Sequence, residues 1–455
     1  MTESYFGTDG IRGTANSHPM TAECALRIGM AAGNRFHRDD ANKHRVVIGK
    51  DTRRSCYMIE NALTAGLTAT GMNVHLLGPV PTPAVGLLTR SMRADLGVMI
   101  TASHNPHNDN GIKFFGPDGY KLTRRTEAEI ETLLRKGPEL VPPRAIGRAM
   151  RVSGGQSRYV EYAKTTLPRH LRMDGLRIVV DCANGAGYRV APDVLWELGA
   201  DVIPVGVEPD GYNINENCGS TDPQAAIDRV KETRADIGIC LDGDADRVLI
   251  IDETGRVACG DQILALLAKR MAEADELTDN TVVMTVMSNL GLERMLNDHG
   301  IKTLRTSVGD RHIVEMMQEH GYVLGGEQSG HIIMAEHSTT GDGLIAALQF
   351  IRVMVETGGR ASEIADQFEP VPQIVRNLHV EAGAVALASP SVKACIADMA
   401  NKLGRRGRVL VRQSGTEPLI RVMVEGNDTD EIRSISEVIC QSVKRNAYED
   451  IETAA

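Results

Sequence analysis

The sequence predicts an α/β protein, built as three related α/β domains followed by a smaller α+β domain. Three observations carry this. The chain has 455 residues, room for about three domains at roughly 150 residues each. A pattern of strand, loop, helix, glycine and strand occurs three times. The stretch after residue 368 follows a different pattern.

The first unit starts at Val46-Val-Ile-Gly-Lys-Asp51, passes through an Ala/Leu-rich stretch and ends at Gly71–Leu77. The second runs from Arg177-Ile-Val-Val-Asp-Cys182 through a helical stretch reaching Trp196, then Gly199–Val205. The third joins Val282–Met287, a helix over Leu290–His299 and Gly300–Leu304. A β-branched run, a helical run and a glycine stop are the sequence form of a βαβ unit. Breaker-rich stretches at Gly137–Pro143 and Ser153-Gly-Gly-Gln156, a helix start at Gly260-Asp261 and a linker at Phe368-Glu-Pro-Val-Pro372 suggest boundaries. The expected domains are 1–155, 156–259, 260–368 and 369–455. In the last, strands are expected near Ile374–Val380, Gly407–Arg412 and Leu419–Gly426, with helices between and after, which is an α+β pattern.

The net charge is −10 and the isoelectric point is near 5.8. Neither suits a protein that lives on nucleic acid or on an anionic membrane. The eight cysteines contain no C-x-x-C pair, which argues against a zinc site and fits a reducing cytosol. The segment Met1-Thr-Glu-Ser-Tyr-Phe6 lacks the form of a secretory signal, and no apolar run approaches the ~20 residues of a membrane helix. The expected location is the cytoplasm. His299 and His320 are expected at helix ends, Trp196 in the core, and Asp342 at the start of a helix over Leu344–Phe350.

Ligands of α/β proteins sit beyond the carboxyl ends of strands, so the loops there carry the functional reading. The strand Ala235–Leu241 leads into Asp242-Gly-Asp-Ala-Asp-Arg247. Three carboxylates at alternate positions repel one another unless a cation intervenes, and hard oxygen ligands suit Mg²⁺ or Ca²⁺. An EF-hand would also begin D-x-D-x-D and would find Glu253 at its twelfth position. It fails because Arg247 occupies the glycine position and both flanks are strands. Mg²⁺ is favoured over Ca²⁺ because it accepts few carboxylates and leaves room for a phosphate oxygen. The competing reading is a solvated acidic turn.

Leu324-Gly-Gly-Glu-Gln-Ser-Gly-His331 offers Glu327 and Ser329 to the hydroxyls of a polyol, or it is simply a glycine-rich turn. Arg412-Gln-Ser-Gly-Thr-Glu417 supplies a guanidinium, the Ser414 and Thr416 hydroxyls and free N–H groups around Gly415, a set that can cradle phosphate. Its competing reading is a hairpin with a surface arginine. Thr101–Phe115 packs Ser103, His104, His107, three asparagines, Asp109 and Lys113 behind an apolar strand. Ser103 is either a turn residue or a nucleophile that carries phosphate. The residues of this loop leave both open, although Gly-x-Ser-x-Gly is absent.

In order, Phe6-Gly-Thr-Asp-Gly-Ile-Arg-Gly13, Thr101-Ala-Ser-His-Asn-Pro106, Asp242–Arg247, Gly326-Glu-Gln-Ser-Gly-His331 and Ser414-Gly-Thr-Glu-Pro418 resemble the α-D-phosphohexomutases along nearly the whole chain. The opening motif and Gln328 narrow the resemblance to members that convert glucosamine 6-phosphate to glucosamine 1-phosphate, on the route to UDP-N-acetylglucosamine. The alternatives are glucose or mannose phosphates handled by the same mechanism, and a metal-dependent sugar phosphatase.

The resemblance implies mixed sheets and a TATA-binding-protein-like fourth domain around a central cleft. It implies a phosphoserine at Ser103. One Mg²⁺ per chain would be held by Asp242, Asp244, Asp246 and a phosphate oxygen on Ser103. Arg12, Lys113 and Arg247 would surround the transferring phosphate, and Lys113 and His331 are the candidates for the general base. Glu327 and Ser329 would recognise the sugar. Arg412, Ser414, Gly415 and Thr416 would grip the phosphate that is not reacting. Glucosamine or glucose 1,6-bisphosphate is implied as activator, and a homodimer as the assembly. After Lys50–Arg53 the usual Ser-Gly is replaced by Ser55-Cys56, a change expected to alter a turn.

Overall fold

The computed structural model describes residues 4–7, 9–37, 43–380, 383–413 and 419–453. Its backbone divides into two compact units. One comprises the residues up to Thr285 together with Ile301–Gln367, and the other comprises Val286–Gly300 and the residues from Phe368 onward.

The larger unit contains three sheets. The first is built from β1 (Ile11–Thr14), β2 (Arg45–Lys50), β3 (Asn73–Pro79), β4 (Leu96–Ile100), β5 (Asp109–Phe115) and β6 (Ala149–Arg151), in the order β1-β5-β4-β2-β3-β6. The second uses β7 (Arg177–Asp181), β8 (Asp201–Val205), β9 (Ile237–Leu241), β10 (Val248–Asp252) and β11 (Val257–Ala258), in the order β11-β10-β9-β7-β8. The third uses β12 (Thr281–Thr285), β13 (Lys302–Thr306), β14 (Leu324–Gly326) and β15 (Ile332–Met334), in the order β13-β12-β14-β15.

All three share one plan. A βαβ unit sets two strands parallel: β2 with β3, β7 with β8, β12 with β13. A third strand joins the first in parallel: β4, β9 or β14. That third strand then turns back into an antiparallel hairpin with β5, β10 or β15. The sheets are therefore mixed, and three of the polar loops read from sequence are the hairpin loops at equivalent places in three related sheets.

The apolar runs form strands because they are covered on both faces. All of β4 and β9, and all but the first residue of β2, are buried, the pattern of a sheet sandwiched between helices. In the first domain the helices Ala22–Phe36 and Arg54–Ala69 cover one face, through Ala25, Ile28, Ile59, Leu63 and Leu67 against Val46, Ile48, Val74 and Val98. The helix Thr82–Ser91 packs on the other, where a Cβ on Gly49 would lie 2.5 Å from Val85 and one on Gly97 2.2 Å from Thr89. The first two helices cross at glycines. A Cβ on Gly66 would lie 2.2 Å from the Leu26 carbonyl oxygen, and one on Gly29 2.7 Å from that of Leu63.

Two sequence expectations are corrected. Trp196 is 71% exposed. The helix Val190–Glu197 buries Val190, Ala191, Val194 and Leu195, and at 100° per residue this stripe turns position 196 outward. Cys56 lies within the first turn of the helix Arg54–Ala69 rather than in a loop. Asp342 caps the helix Gly343–Thr357 as expected. His320 ends one helix and His299 caps the end of another.

The smaller unit has the antiparallel sheet β16 (Gln373–His379), β17 (Gly407–Gln413) and β18 (Leu419–Gly426), with β18 central. The helices Pro390–Leu403 and Thr429–Thr453 close a core of Val392, Leu403, Ile420, Val422, Val424, Ile432 and Ile439. The helix Leu290–Asp298 belongs to this unit. The Leu290 N–H donates to Glu425 at 2.9 Å, and Asn289 exchanges hydrogen bonds of 3.0 and 2.9 Å with the backbone of Val371. All eight cysteines are free, and no helix among the described residues is long and apolar enough to cross a membrane.

Candidate active site

The loop after β4 holds Ser103 in an unusual conformation. Its φ is +51° and it is almost fully buried. The Ser103 N–H donates to Thr101 Oγ1 at 2.8 Å. Arg53, fully buried, donates to the carbonyls of Ser103 (2.9 Å), Asn105 (2.8 Å) and Asp109 (3.2 Å), and also to that of Pro106. Asp51 orients the guanidinium by accepting from Nε at 2.8 Å. Asn215, from the second domain, donates to the Ser103 and Asn105 carbonyls at 2.9 and 3.0 Å. With its carbonyl held on that side, the Ser103 hydroxyl donates to Asp242 Oδ2 at 2.7 Å. His104 Nδ1 lies 3.4 Å from the same hydroxyl. Burial, and then Arg247 and Arg12, push this imidazole down to about 4, so it is neutral at neutral pH.

The β9–β10 hairpin brings in the aspartates. Asp242, Asp244 and Asp246 are buried, with one carboxylate oxygen of each within 4.8 Å of the others. Gly243 is required at the contact, because a Cβ there would lie 2.6 Å from the Ser103 carbonyl oxygen. Burial, and then Asp246 and Asp244, hold the Asp242 carboxyl well above its usual range. Asp244 Oδ1 accepts no hydrogen bond among the described residues. Among the described residues, Asp246 Oδ1 has only the looser approaches of His331 Nδ1 at 3.5 Å and Arg247 Nε at 3.9 Å. Buried carboxylate oxygens without donors are costly, and three hard oxygens converging in this way fit a divalent cation.

Around them runs a closed ring of alternating charge. Lys113 Nζ lies 3.2 Å from Asp246, 2.9 Å from Asp244 and 3.2 Å from Asp9. Lys121 bridges Asp9 and Asp310. Asp310 is 3.5 Å from His331 Nε2, and His331 Nδ1 returns to Asp246. Burial would lower Lys113, but Asp244, Asp9 and Asp246 outweigh it and hold the ammonium well above its usual range. Lys113 thus carries a positive charge among these three carboxylates. His331 experiences opposing demands. Burial lowers it and the carboxylates raise it further, yet the Gly341 N–H points at Nε2 from 3.1 Å. A neutral ring protonated on Nδ1 satisfies Asp246 and Gly341, whereas a charged ring satisfies Asp246 and Asp310.

Arg12 pairs with Asp9, and the Nε atoms of Arg12 and Arg247 are without hydrogen-bond partners among the described residues. Both guanidiniums reach solvent, with side chains 32% and 24% exposed. The β14–β15 loop lies against this cluster. Glu327 accepts from the Gly309 N–H at 3.1 Å, and Ser329 Oγ is 3.4 Å from Glu327 Oε2. The loop is fastened to the acidic hairpin by the Val248 N–H on the Gly330 carbonyl at 3.0 Å.

The structure therefore brings together Ser103, Arg12, Lys113, His331, the three aspartates and Arg247, with Glu327 and Ser329 on the adjoining loop. Arg412 lies in the smaller unit, on β17 directly opposite Arg421 of β18. Burial and then Arg421 lower the Arg412 guanidinium. Ser414, Gly415 and Thr416 lie outside the described residues.

Sequence reasoning missed Asp9, Thr82, Lys121, Asn215 and Asp310. Asp9 sits inside the Phe6–Gly13 motif, and Asp310 follows the carboxyl end of β13, so both carried a signal. Lys121 and Asn215 carried none. Cys56, the departure from the family pattern, donates its thiol to Asp51 Oδ1 at 3.1 Å and receives Asn110 Nδ2 at 3.3 Å. Its effect falls on the Asp51–Arg53 support of the Ser103 loop rather than on a turn.

The phosphoglucomutase/phosphomannomutase family matches in four consecutive pieces. Its alpha/beta/alpha domain I matches residues 3–140, domain II residues 157–255, domain III residues 259–371 and its C-terminal domain residues 376–442. The phosphoglucosamine mutase of Cereibacter sphaeroides is 62% identical over 444 residues, covering 98% of this chain and 99% of that protein. That of Paracoccus denitrificans is 61% identical over 449 residues, covering 98% and 100%. Among solved structures, a phosphoglucomutase/phosphomannomutase family protein of Burkholderia thailandensis superposes with a TM-score of 0.82 at 22% identity, covering 97% of each chain. The N-acetylphosphoglucosamine mutase of Aspergillus fumigatus, solved with GlcNAc-6P and magnesium, gives 0.68 at 19% identity over 97% and 96%. At such identities the two structures speak for the fold; the sequence matches speak for kinship, and the chain belongs to the α-D-phosphohexomutase family, within its phosphoglucosamine mutase branch.

Proposed function

We propose that this chain interconverts glucosamine 6-phosphate and glucosamine 1-phosphate through a phosphoserine at Ser103. The observation that carries the chemistry is the buried Ser103 hydroxyl, 2.7 Å from Asp242 and facing three clustered carboxylates. The substrate follows from the 62% identity to a phosphoglucosamine mutase over nearly the full chain. In the first transfer a sugar hydroxyl gives its proton to a general base, for which His331 and Lys113 are the candidates, and forms its own bond to phosphorus as the Ser103 Oγ–P bond breaks, giving the 1,6-bisphosphate. The sugar turns over, Ser103 takes back the other phosphoryl group, and the isomer leaves.

Phosphoryl transfer needs placement and charge more than covalent help. Arg53 and Asn215 place the Ser103 oxygen. Lys113, Arg12 and Arg247 surround it with positive charge. Glu327 and Ser329 take the sugar hydroxyls. Arg412, with Ser414, Gly415 and Thr416, takes the distal phosphate. Asp242, Asp244 and Asp246 would hold Mg²⁺ together with a phosphate oxygen on Ser103, and a cation there would offset charge on the phosphoryl oxygens. Glucosamine or glucose 1,6-bisphosphate would load Ser103 in a dephosphorylated chain. A homodimer rests on family likeness alone, and a cytoplasmic location on the free cysteines.

The test is ³¹P NMR of glucosamine 6-phosphate with the enzyme, Mg²⁺ and a trace of bisphosphate, alongside the intact mass of the protein. The expected result is glucosamine 1-phosphate as product and a mass increase of one phosphate, both absent in Ser103→Ala. Free phosphate as the main product would mean a phosphatase. Turnover of glucose or mannose phosphates without that of glucosamine 6-phosphate would overturn the substrate.

A further inference from the structure

Thr82 stands outside the motifs and carries no charge, yet it is fully buried against the acidic hairpin. It is the first residue of the helix Thr82–Ser91, between Pro81 and Pro83. Its N–H donates to the Asp244 carbonyl at 2.9 Å. Its hydroxyl donates to Asp244 Oδ2 at 2.5 Å. A first-turn N–H has no acceptor inside its own helix, and a threonine hydroxyl has one proton to give. Thr82 thus directs both of its donors to a single residue 162 positions away, in another domain.

This decides which Asp244 oxygen is available. Oδ2 receives Thr82 and, at 2.9 Å, Lys113. Oδ1 is buried and accepts nothing among the described residues. Rotation of the carboxylate about Cβ–Cγ would break both bonds to Oδ2. Lys113 alone is a weaker restraint, since its ammonium is shared with Asp9 and Asp246 and has no fixed donor geometry. The next residue, Ala245, has φ +57°, so Asp244 stands at the strained corner of the hairpin, and the Thr82 N–H holds that corner.

We propose that Thr82 is a positioning residue of the cation site, turning Asp244 Oδ1 toward a divalent cation and setting the distance between the acidic hairpin and the Ser103 domain. This rests on the reading that the three aspartates hold a cation. Groups that orient a metal ligand typically affect metal affinity by about 10–100-fold. A residue that only packs there affects stability with and without metal alike.

The experiment measures equilibrium Mn²⁺ binding to the full chain by electron paramagnetic resonance, for wild type, Thr82→Val, Thr82→Ser and Thr82→Ala, with thermal unfolding in metal-free buffer as the fold control. The expected result is a Kd for Mn²⁺ raised about tenfold or more in Thr82→Val, with Thr82→Ser near wild type. Turnover of Thr82→Val should recover at high Mg²⁺, with the KM for glucosamine 6-phosphate unchanged. Thr82→Ala, which removes the hydroxyl without placing a methyl against the carboxylate, decides the matter if the valine variant fails to fold. Equal Mn²⁺ affinity in wild type and the hydroxyl-free variants overturns the role of Thr82, as does a serine variant as weak as the valine. A wild-type chain that binds no Mn²⁺ overturns the cation reading itself.

Discussion

At the scale of single residues, Ser103 occupies a left-handed conformation that costs a non-glycine residue on the order of 1 kcal/mol or more. The surroundings over-determine it, chiefly through Arg53, whose guanidinium holds four carbonyls of the loop. Lysine offers a point charge in place of a planar fork and cannot hold that set. Arg53→Lys should therefore fold but lose roughly a hundredfold in kcat, the scale expected when a reacting atom is displaced by about an ångström. Steady-state kinetics with circular dichroism as the fold control checks this. Arg53→Met leaves Asp51 buried without its cation, which should cost about 3–5 kcal/mol of stability, read from urea unfolding. The Asp-rich loop was legible because carboxylates at alternate positions in a tight turn repel one another until a cation joins them. Arg53 was not legible as the support of Ser103, because its partners are backbone carbonyls, which leave no mark on the side-chain sequence.

Elements make two further predictions. The helices Ala22–Phe36 and Arg54–Ala69 approach so closely that a Cβ on Gly66 meets the Leu26 carbonyl oxygen at 2.2 Å. Backbone cannot swing aside as a side chain can, so Gly66→Ala should cost about 1–3 kcal/mol despite its better helix propensity. The midpoint of denaturant unfolding measures it. The second concerns the start of the helix Gly343–Thr357, where Asp342 accepts the Ile345 N–H at 3.0 Å and its two oxygens lie 2.8 and 2.9 Å from the buried Tyr159 hydroxyl. Burial raises its carboxyl from 3.8 to about 6, against the opposing pull of the Ile345 N–H and the Tyr159 hydroxyl. A raised carboxyl means that the folded state holds the proton more tightly. Its contribution to stability is complete below the unfolded value of 3.8 and is lost as the pH rises through about 6. The span corresponds to roughly 3 kcal/mol. Asp342→Asn keeps an acceptor at the cap and removes the titration. Thermal unfolding of wild type minus variant should therefore show a difference that changes between pH 4 and 6 and is flat above pH 7; a flat difference throughout sinks the assignment.

At the scale of the molecule, the larger unit repeats one sheet plan three times and puts a different set of polar side chains in the same hairpin loop of each. Ser103 follows β4, the aspartates follow β9 and Glu327 follows β14, with the closed ring from Asp9 to His331 fastening the three together. A cation bound by the aspartates stabilises only the folded chain. Mg²⁺ at about a hundred times its Kd should raise the unfolding free energy by roughly 2.7 kcal/mol, and Asp244→Asn should diminish that gain. Differential scanning calorimetry with and without Mg²⁺ tests it. Equal stability in both would argue against a cation in the triad.

By itself the sequence determined the three βαβ units, the α/β class and the polar loops that follow the strands. These depend on local signals: β-branched runs long enough to be covered on both faces, glycines that stop helices, and polar residues crowded after a buried strand. Tertiary structure decided what local signals cannot encode. Trp196 faces outward because the stripe at 190, 191, 194 and 195 took the core face. The helix Leu290–Asp298 reads as the crossover between β12 and β13 but gives its N-terminal N–H to Glu425, more than a hundred residues on. Lys121 between Asp9 and Asp310, and Thr82 on Asp244, are pairings across domains. Each is made by residues that look ordinary in their own neighbourhoods, and only the packing that removes them from water makes their pairing necessary.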